Sequence, residues 1–225
     1  SEMCIRDSFE SCASGGSRFD PGMLYYAPQG WTSDDTDAAE RVKIQYGTSM
    51  CYPVSSMGSH VSVVPNHQLN RKTPLHTRAN VAYFGTFGYE LDLNKLSDEE
   101  ISEVKQQITF MKEYRELIQF GTFYRLKSPF EGNETVWMTV SEDKKTALVF
   151  WYRERNVVNA DFTRVRLHGL DPDLIYRNEY NETENYGDEL MNLGLLTTDC
   201  TAGEPTSEDE PCTDYESRIY VLTAK

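Results

Sequence analysis

Met23-Leu24-Tyr25-Tyr26-Ala27-Pro28-Gln29-Gly30-Trp31-Thr32-Ser33-Asp34-Asp35-Thr36-Asp37 compresses a strand, a turn and a helix start into fifteen residues. The apolar run Met23-Leu24-Tyr25-Tyr26 has turn signals on both sides and reads as a buried strand. The acidic run that follows favours the positive end of a helix dipole, so a helix is expected from there to about Tyr46, with Gly47 as its stop. A strand that hands over to a helix is the repeating unit of parallel α/β folds. In a barrel of such units, catalytic residues stand at that handover.

The flanking sequence extends the pattern. Met50-Cys51-Tyr52 with Val54 precedes a Ser/Gly/His loop, within which residues 61–64 have extended character. Residues 81–93 hold strand-like pieces broken by Gly85 and Gly88. Ser97-Asp98-Glu99-Glu100 is a capping box, and Ile101, Val104, Ile108, Met111, Tyr114 and Leu117 or Ile118 follow at helical spacing. A helix over 98–119 is expected, with Gly121 just beyond it.

After that helix the texture changes. Residues 135–140 and 147–152 alternate about a polar turn and read as a hairpin, and 162–167, 174–180 and 217–222 are further strand candidates. Strands without helices suggest an antiparallel sandwich. The fold class is therefore α/β plus all-β. A whole eight-fold barrel takes roughly 250 residues, and the α/β part here has about half of that or less. The expected architecture is a partial (β/α)8 barrel, its last βα units, followed by a C-terminal antiparallel β-sandwich. The expected division is 9–122 for the barrel part and 123–225 for the sandwich. Residues 1–8 read as a non-native leader resembling translated adaptor sequence.

Charge narrows the partners. The 225 residues carry 36 acidic and 22 basic side chains, a net charge of -14. That surface repels phosphate backbones and anionic leaflets, so neither nucleic acid nor membrane is expected as a partner. No apolar run is long enough to span a bilayer. Cys200 and Cys212 flank an acidic Pro/Ser/Thr loop at 201–211. A disulfide there would imply an oxidising compartment, and two thiols a cytoplasmic one. Localisation stays open between those readings.

Three constellations could carry chemistry. The first is Trp31 to Asp37, where Asp34 stands at a strand-to-helix handover. Read alone, such a run is an ordinary acidic helix start, and Asp34, Asp35 and Asp37 could also offer oxygens to calcium. The second is Cys12-Ala13-Ser14-Gly15-Gly16-Ser17-Arg18-Phe19-Asp20, where small residues let backbone approach a ligand. No base is paired with Cys12 in sequence, and neither the Walker lysine nor dinucleotide-fingerprint spacing is present. The third comprises Met57-Gly58-Ser59-His60-Val61 and Pro65-Asn66-His67-Gln68. Its histidines lack zinc-site spacing, and loop hydrogen bonds behind a pocket are the expected role. No metal and no cofactor are implied.

The order and wording of these segments resemble the C-terminal half of the microbial α-galactosidases of glycoside hydrolase family thirty-six, from Phe9 to the end of the chain. That resemblance implies that Asp34 is the general acid/base of a retaining glycosidase. It would protonate the glycosidic oxygen and then deprotonate water, with Trp31 as one apolar wall of its pocket. It also implies that Cys12 and Gly15 contact sugar hydroxyls, with Arg18 and Asp20 as a supporting ion pair. Asp35 and Asp37 would cap or support the helix. Gly187-Asp188-Glu189-Leu190-Met191-Asn192 resembles a structural signature of the family and is expected to be a turn packed on the barrel. Ser17 departs from the family's usual Gly.

The family's nucleophile is an Asp in a Lys-Trp-Asp-type motif, which does not occur in this sequence. The implied protein is an α-galactosidase acting on terminal α-galactosides of oligosaccharides such as raffinose or melibiose, homo-oligomeric at full length. This stretch alone would be inactive. The alternatives are an α-galactosyltransferase or α-N-acetylgalactosaminidase built on the same residues, or a non-catalytic carbohydrate-binding module built on the sandwich.

Overall fold

Asp20 and Pro21 decide the first helix. The computed structural model describes residues 9–12, 19–157, 161–197 and 214–225. In it, the Asp20 side chain accepts a hydrogen bond from the Met23 N–H at 3.0 Å, and Pro21 occupies the first helical turn. A cap followed by proline starts a helix, so α1 (Pro21–Tyr26) forms where a buried strand was expected. None of its residues is buried, and Tyr25 is 85% exposed. Asp20 therefore acts as a cap. Arg18, its expected ionic partner, lies outside the described residues.

The chain divides into two units, Ser1–Glu113 and Tyr114–Lys225. The first contains four parallel strands in the order β1-β2-β3-β4: β1 (Glu10–Ser11), β2 (Gln29–Trp31), β3 (Met57–Ser62) and β4 (Thr86–Glu90). Helix α2 (Ala38–Thr48) links β2 to β3, and α3 (Leu75–Ala82) links β3 to β4. Gly47 lies inside α2, and Ser49 caps it. The segment expected as a Ser/Gly/His loop is thus strand β3. Residues 81–93 hold the end of α3 and one strand. Helix α4 (Asp98–Phe120) follows β4. Its capping box is reciprocal as expected: Glu100 N–H donates to Ser97 Oγ at 3.2 Å, and Ser97 N–H to Glu100 Oε2 at 2.9 Å.

Strand β3 has two unlike faces. On one, Ser59 donates to Gln45 Oε1 at 2.9 Å, and Gln45 Nε2 donates to the carbonyls of Val81 and Phe84. This buried amide ties α2 to β3 and to the end of α3, and it leaves none of its own polar atoms unpaired. On the other face Gly58, His60 and Ser62 meet the neighbouring strands. Ser62 Oγ donates to Glu90 Oε2 at 3.3 Å. Gly88 stands opposite His60 in register, and a Cβ there would come within 2.8 Å of His60 Cδ2. The imidazole fits because that residue has no side chain.

The second unit is antiparallel. Strands β5 (Thr122–Lys127), β6 (Glu134–Val140), β7 (Thr146–Arg153), β9 (Ile175–Asn178), β10 (Glu184–Tyr186) and β12 (Glu216–Ala224) form a sheet in the order β10-β9-β12-β7-β6-β5. Strands β8 (Arg164–Val165) and β11 (Leu195–Leu196) pair separately. Alternate residues of the large sheet, among them Val136, Met138, Val149, Trp151, Tyr220 and Leu222, pack with Val165, Leu167, Leu190 and Leu195 in one core. On the alternate positions Trp137 and Phe150 stack at 4.4 Å and are also fully buried. The segment 187–192 is a helix, α5 (Gly187–Asn192), where a turn was expected, and its Leu190 belongs to this unit's own core.

Candidate active site at the ends of the parallel strands

The acidic run after β2 separates into three roles. Asp37 is the N-cap of α2 and is buried. Its Oδ2 accepts from Glu40 N–H at 3.1 Å and pairs with the Arg71 guanidinium, which also reaches Glu40 at 3.5 Å. Asp35 closes the turn before it: its Oδ1 accepts from Asp37 N–H at 2.9 Å, while its own N–H donates to Ser33 Oγ at 3.1 Å. Both carboxylates are thus committed to the backbone, as expected of helix-capping groups. Asp34 is different. Its side chain is exposed and makes no hydrogen bond among the described residues.

The loop after β3 buttresses this run. Asn66 is buried. Its Oδ1 accepts from the N–H groups of Gln68 and Leu69, both at 2.9 Å, and its Nδ2 donates to Thr36 Oγ1 at 3.3 Å. Two backbone bonds close the same loop, Asn66 N–H donating to the Arg71 carbonyl at 2.9 Å and Asn70 N–H to the Asn66 carbonyl at 2.8 Å. The motif Pro65-Asn66-His67-Gln68 therefore supplies loop hydrogen bonds through Asn66. His67 is exposed.

Trp31 ends β2. Its ring centroid lies 4.7 Å from that of His60, and the Arg41 guanidinium lies 4.7 Å over it. Arg41 Nη1 donates to Thr32 Oγ1 at 2.5 Å. Burial lowers the pKa of Arg41, opposed by the charges of Glu90, Asp35, Glu10 and Asp34. Burial also lowers that of His60, against the pull of Glu10 and Glu90 and with the added push of Arg41. Trp31 is thus engaged with Arg41 and His60. Trp31, the expected apolar wall of the Asp34 pocket, is half-buried, while Asp34 itself stands exposed.

Cys12 follows β1 directly, is exposed and carries a free thiol. The register Ser11↔Gly30 puts it beside the end of β2, so Cys12, Trp31 and the Asp34 turn share the C-terminal edge of neighbouring parallel strands. Gly15 lies outside the described residues, as do Cys200 and Cys212. Sequence reasoning missed Arg41 and Arg71. The available signal was a charge on the apolar side of α2, where Ala38, Val42, Gln45 and Tyr46 are also buried. Among the described residues no group of three or more His, Cys, Asp or Glu side chains converges to hold a metal. No helix among them is long and apolar enough to cross a membrane.

Two family models match this chain. The Melibiase model covers residues 5–121, and the glycosyl hydrolase family 36 C-terminal domain covers 134–222. The chain belongs to glycoside hydrolase family 36. Its family 36 relatives include the α-galactosidase AgaA of Geobacillus stearothermophilus, 57% identical over 187 residues, which are 83% of this chain and 26% of the relative. The α-galactosidase Mel36A of Lactobacillus acidophilus is 52% identical over 187 residues, 83% of this chain and 25% of the relative. The crystal structure of AgaA superposes with a TM-score of 0.89 at 51% identity, covering 96% of this chain and 29% of that one. The chain therefore spans about a quarter of the length of these relatives. Its parallel unit is part of a barrel, and a C-terminal β-rich domain follows. Variants of AgaA have been solved in complex with raffinose and with stachyose.

Proposed function

We propose that this chain is the C-terminal portion of a retaining α-galactosidase that hydrolyses terminal α-galactosides of oligosaccharides, and that Asp34 is its general acid/base. The observation that carries the reading is the division of labour in the acidic run. Asp35 and Asp37 are consumed by helix capping, whereas Asp34 is exposed and unbonded at the C-terminal edge of parallel strands, where barrel enzymes place their reacting groups. Retention needs a second carboxylate about 5 Å away as nucleophile. Here it comes from outside these 225 residues, and so does the enclosure a proton donor requires. Cys12, Gly15 and Trp31 contribute to the galactose subsite, and of these Cys12 and Trp31 stand on the same edge. The chain alone is inactive, and the complete protein has an α-galactoside oligosaccharide as its substrate and forms a homo-oligomer. The boundary between its barrel part and sandwich falls near 122.

Raffinose bound to a variant of AgaA supports the substrate class by similarity. Trp137 and Trp151, the tryptophans of the second unit, are each only 1% exposed. They offer no face to a sugar. The test is Asp34→Asn in the complete protein that carries this chain. Cleavage of raffinose is expected to fall by about 10²–10⁴-fold, the usual contribution of general acid–base catalysis. The first step on an aryl α-galactoside with a nitrophenolate leaving group is spared, because that group departs without a proton. Equal, small losses on both substrates would refute the assignment.

A further inference from the structure

Arg41 is a buried charge that the acid/base reading does not use. It is 2% exposed, and it sits on α2 one turn beyond the Asp37 cap. Its Nε and Nη2 are buried and find no acceptor among the described residues. A guanidinium held this way gives up hydration that a Leu or Met in the same place would never need. What it offers in exchange is specific to its shape. A planar cation stacks on an indole and directs a donor at a fixed angle, which neither an aliphatic chain nor an ammonium reproduces.

Both contacts converge on the same short segment. The face lies over Trp31 at 4.7 Å, and Nη1 holds Thr32 Oγ1 at 2.5 Å. Those are the last residue of β2 and the one after it, and Asp34 follows two residues later. On its other contact Trp31 meets His60 at 4.7 Å, and His60 is seated against Gly88 of the next strand. The strand end is thus held from the helix by Arg41 and from the sheet by His60. Downstream, Asp35 and Asp37 fix the far side of the turn to α2. Asp34 hangs between two anchored ends, and one of those anchors is Arg41.

We propose that Arg41 is a positioning residue that, through Trp31 and Thr32, sets the height and direction at which the Asp34 carboxyl leaves the strand end. The inference rests on Asp34 being the acid/base. Proton transfer demands alignment, and a displacement of about 1 Å costs on the order of a hundredfold. A purely structural role for Arg41 would lower stability without changing how the rate depends on the leaving group.

The complete protein is assayed as Arg41→Met, Arg41→Lys, Thr32→Val and Asp34→Asn. For each, kcat/KM is measured on raffinose and on a nitrophenyl α-galactoside, well below the melting temperature. Arg41→Met is expected to lower kcat/KM on raffinose about a hundredfold and on the nitrophenyl substrate by less than about tenfold, so that their ratio falls. Arg41→Lys keeps charge near Trp31 without the fork and falls between. Thr32→Val changes the ratio in the same direction by a few-fold. It decides the matter if Arg41→Met fails to fold. An unchanged ratio in folded Arg41→Met or Thr32→Val overturns the positioning role alone, provided Asp34→Asn still separates the substrates. If Asp34→Asn does not separate them, the acid/base reading and this inference fall together.

Discussion

Three aspartates within four residues give a sharp test, because the structure assigns them different work. Asp37→Ala removes the N-cap of α2, worth about 1 kcal/mol. It also strips the Arg71 guanidinium of its main partner. That pair is neither a surface pair nor a deeply buried one: the Asp37 side chain is 1% exposed and that of Arg71 21%. Exposed pairs contribute about 0–1 kcal/mol, and breaking a buried one costs about 3–5 kcal/mol. Arg71 also keeps Glu40 at 3.5 Å. A loss of about 1–2 kcal/mol for the pair is expected, so Asp37→Ala should cost about 2–3 kcal/mol. Asp37→Asn keeps an oxygen for the Glu40 N–H and should cost about 1–2 kcal/mol, the pair alone. Asp34→Asn removes an exposed carboxylate with no hydrogen bond and should stay within about 0.5 kcal/mol. Urea titration is the assay, followed by the emission of Trp31, the single tryptophan of residues 1–113. With two units present the midpoint of that transition is compared, not a global free energy. If Asp34→Asn shifts the midpoint as far as Asp37→Asn, Asp34 is a structural support and the separation of roles is wrong. If Asp37→Asn matches wild type, the Arg71 pair contributes nothing.

Two further outcomes follow from the geometry. His60 is held below its ordinary pKa of 6.5, first by burial, with Glu10 and Glu90 opposing and Arg41 adding to it. Below pH 6.5 the unfolded chain takes up a proton that the folded chain refuses. Stability is therefore full above 6.5 and is lost as pH falls toward the lower folded value. The Trp31 urea midpoint should drop between pH 7.5 and 5.5 by more in wild type than in His60→Gln, and equal drops would show that the imidazole is not held neutral. In the second unit, Gly187 begins α5 with the Asp171 carbonyl oxygen only 1.9 Å from where a Cβ would stand. Backbone cannot yield as a flexible side chain does, so Gly187→Ala should cost about 3 kcal/mol, read as a lower thermal midpoint, and a neutral substitution would contradict the packing.

What was legible in the sequence, and what was not, divides along a physical line. Helix α4 could be read because its capping box and its apolar spacing are both local signals. The β6–β7 hairpin could be read because its strands carry apolar residues about a polar turn. Apart from α5 in the second unit, the misreadings fall around the candidate site. Met23-Leu24-Tyr25-Tyr26 looked like a strand because periodicity does not type a short apolar run. Asp20-Pro21, a cap and a proline, held the correcting information. The true strand beside it is Gln29-Gly30-Trp31, and the next is Met57-Gly58-Ser59-His60-Val61-Ser62, which looked like a loop. Parallel strands buried on both faces normally read as apolar runs. These do not, because one face of each meets Trp31, His60, Glu10 and Glu90 in place of aliphatic side chains. Local rules fail most readily where residues are held for chemistry. Arg41 was passed over for a related reason. A charge on a helix is normally solvated, so its place among the apolar positions of α2 was a weak signal, and the tertiary structure shows its guanidinium over Trp31. The polar composition that hid β2 and β3 from a sequence reading is thus the same property that distinguishes their ends as the candidate site. It also makes a direct demand of any variant: replacing His60 or Arg41 by an aliphatic residue should make the sequence look more like a barrel strand or helix while making the protein a worse catalyst.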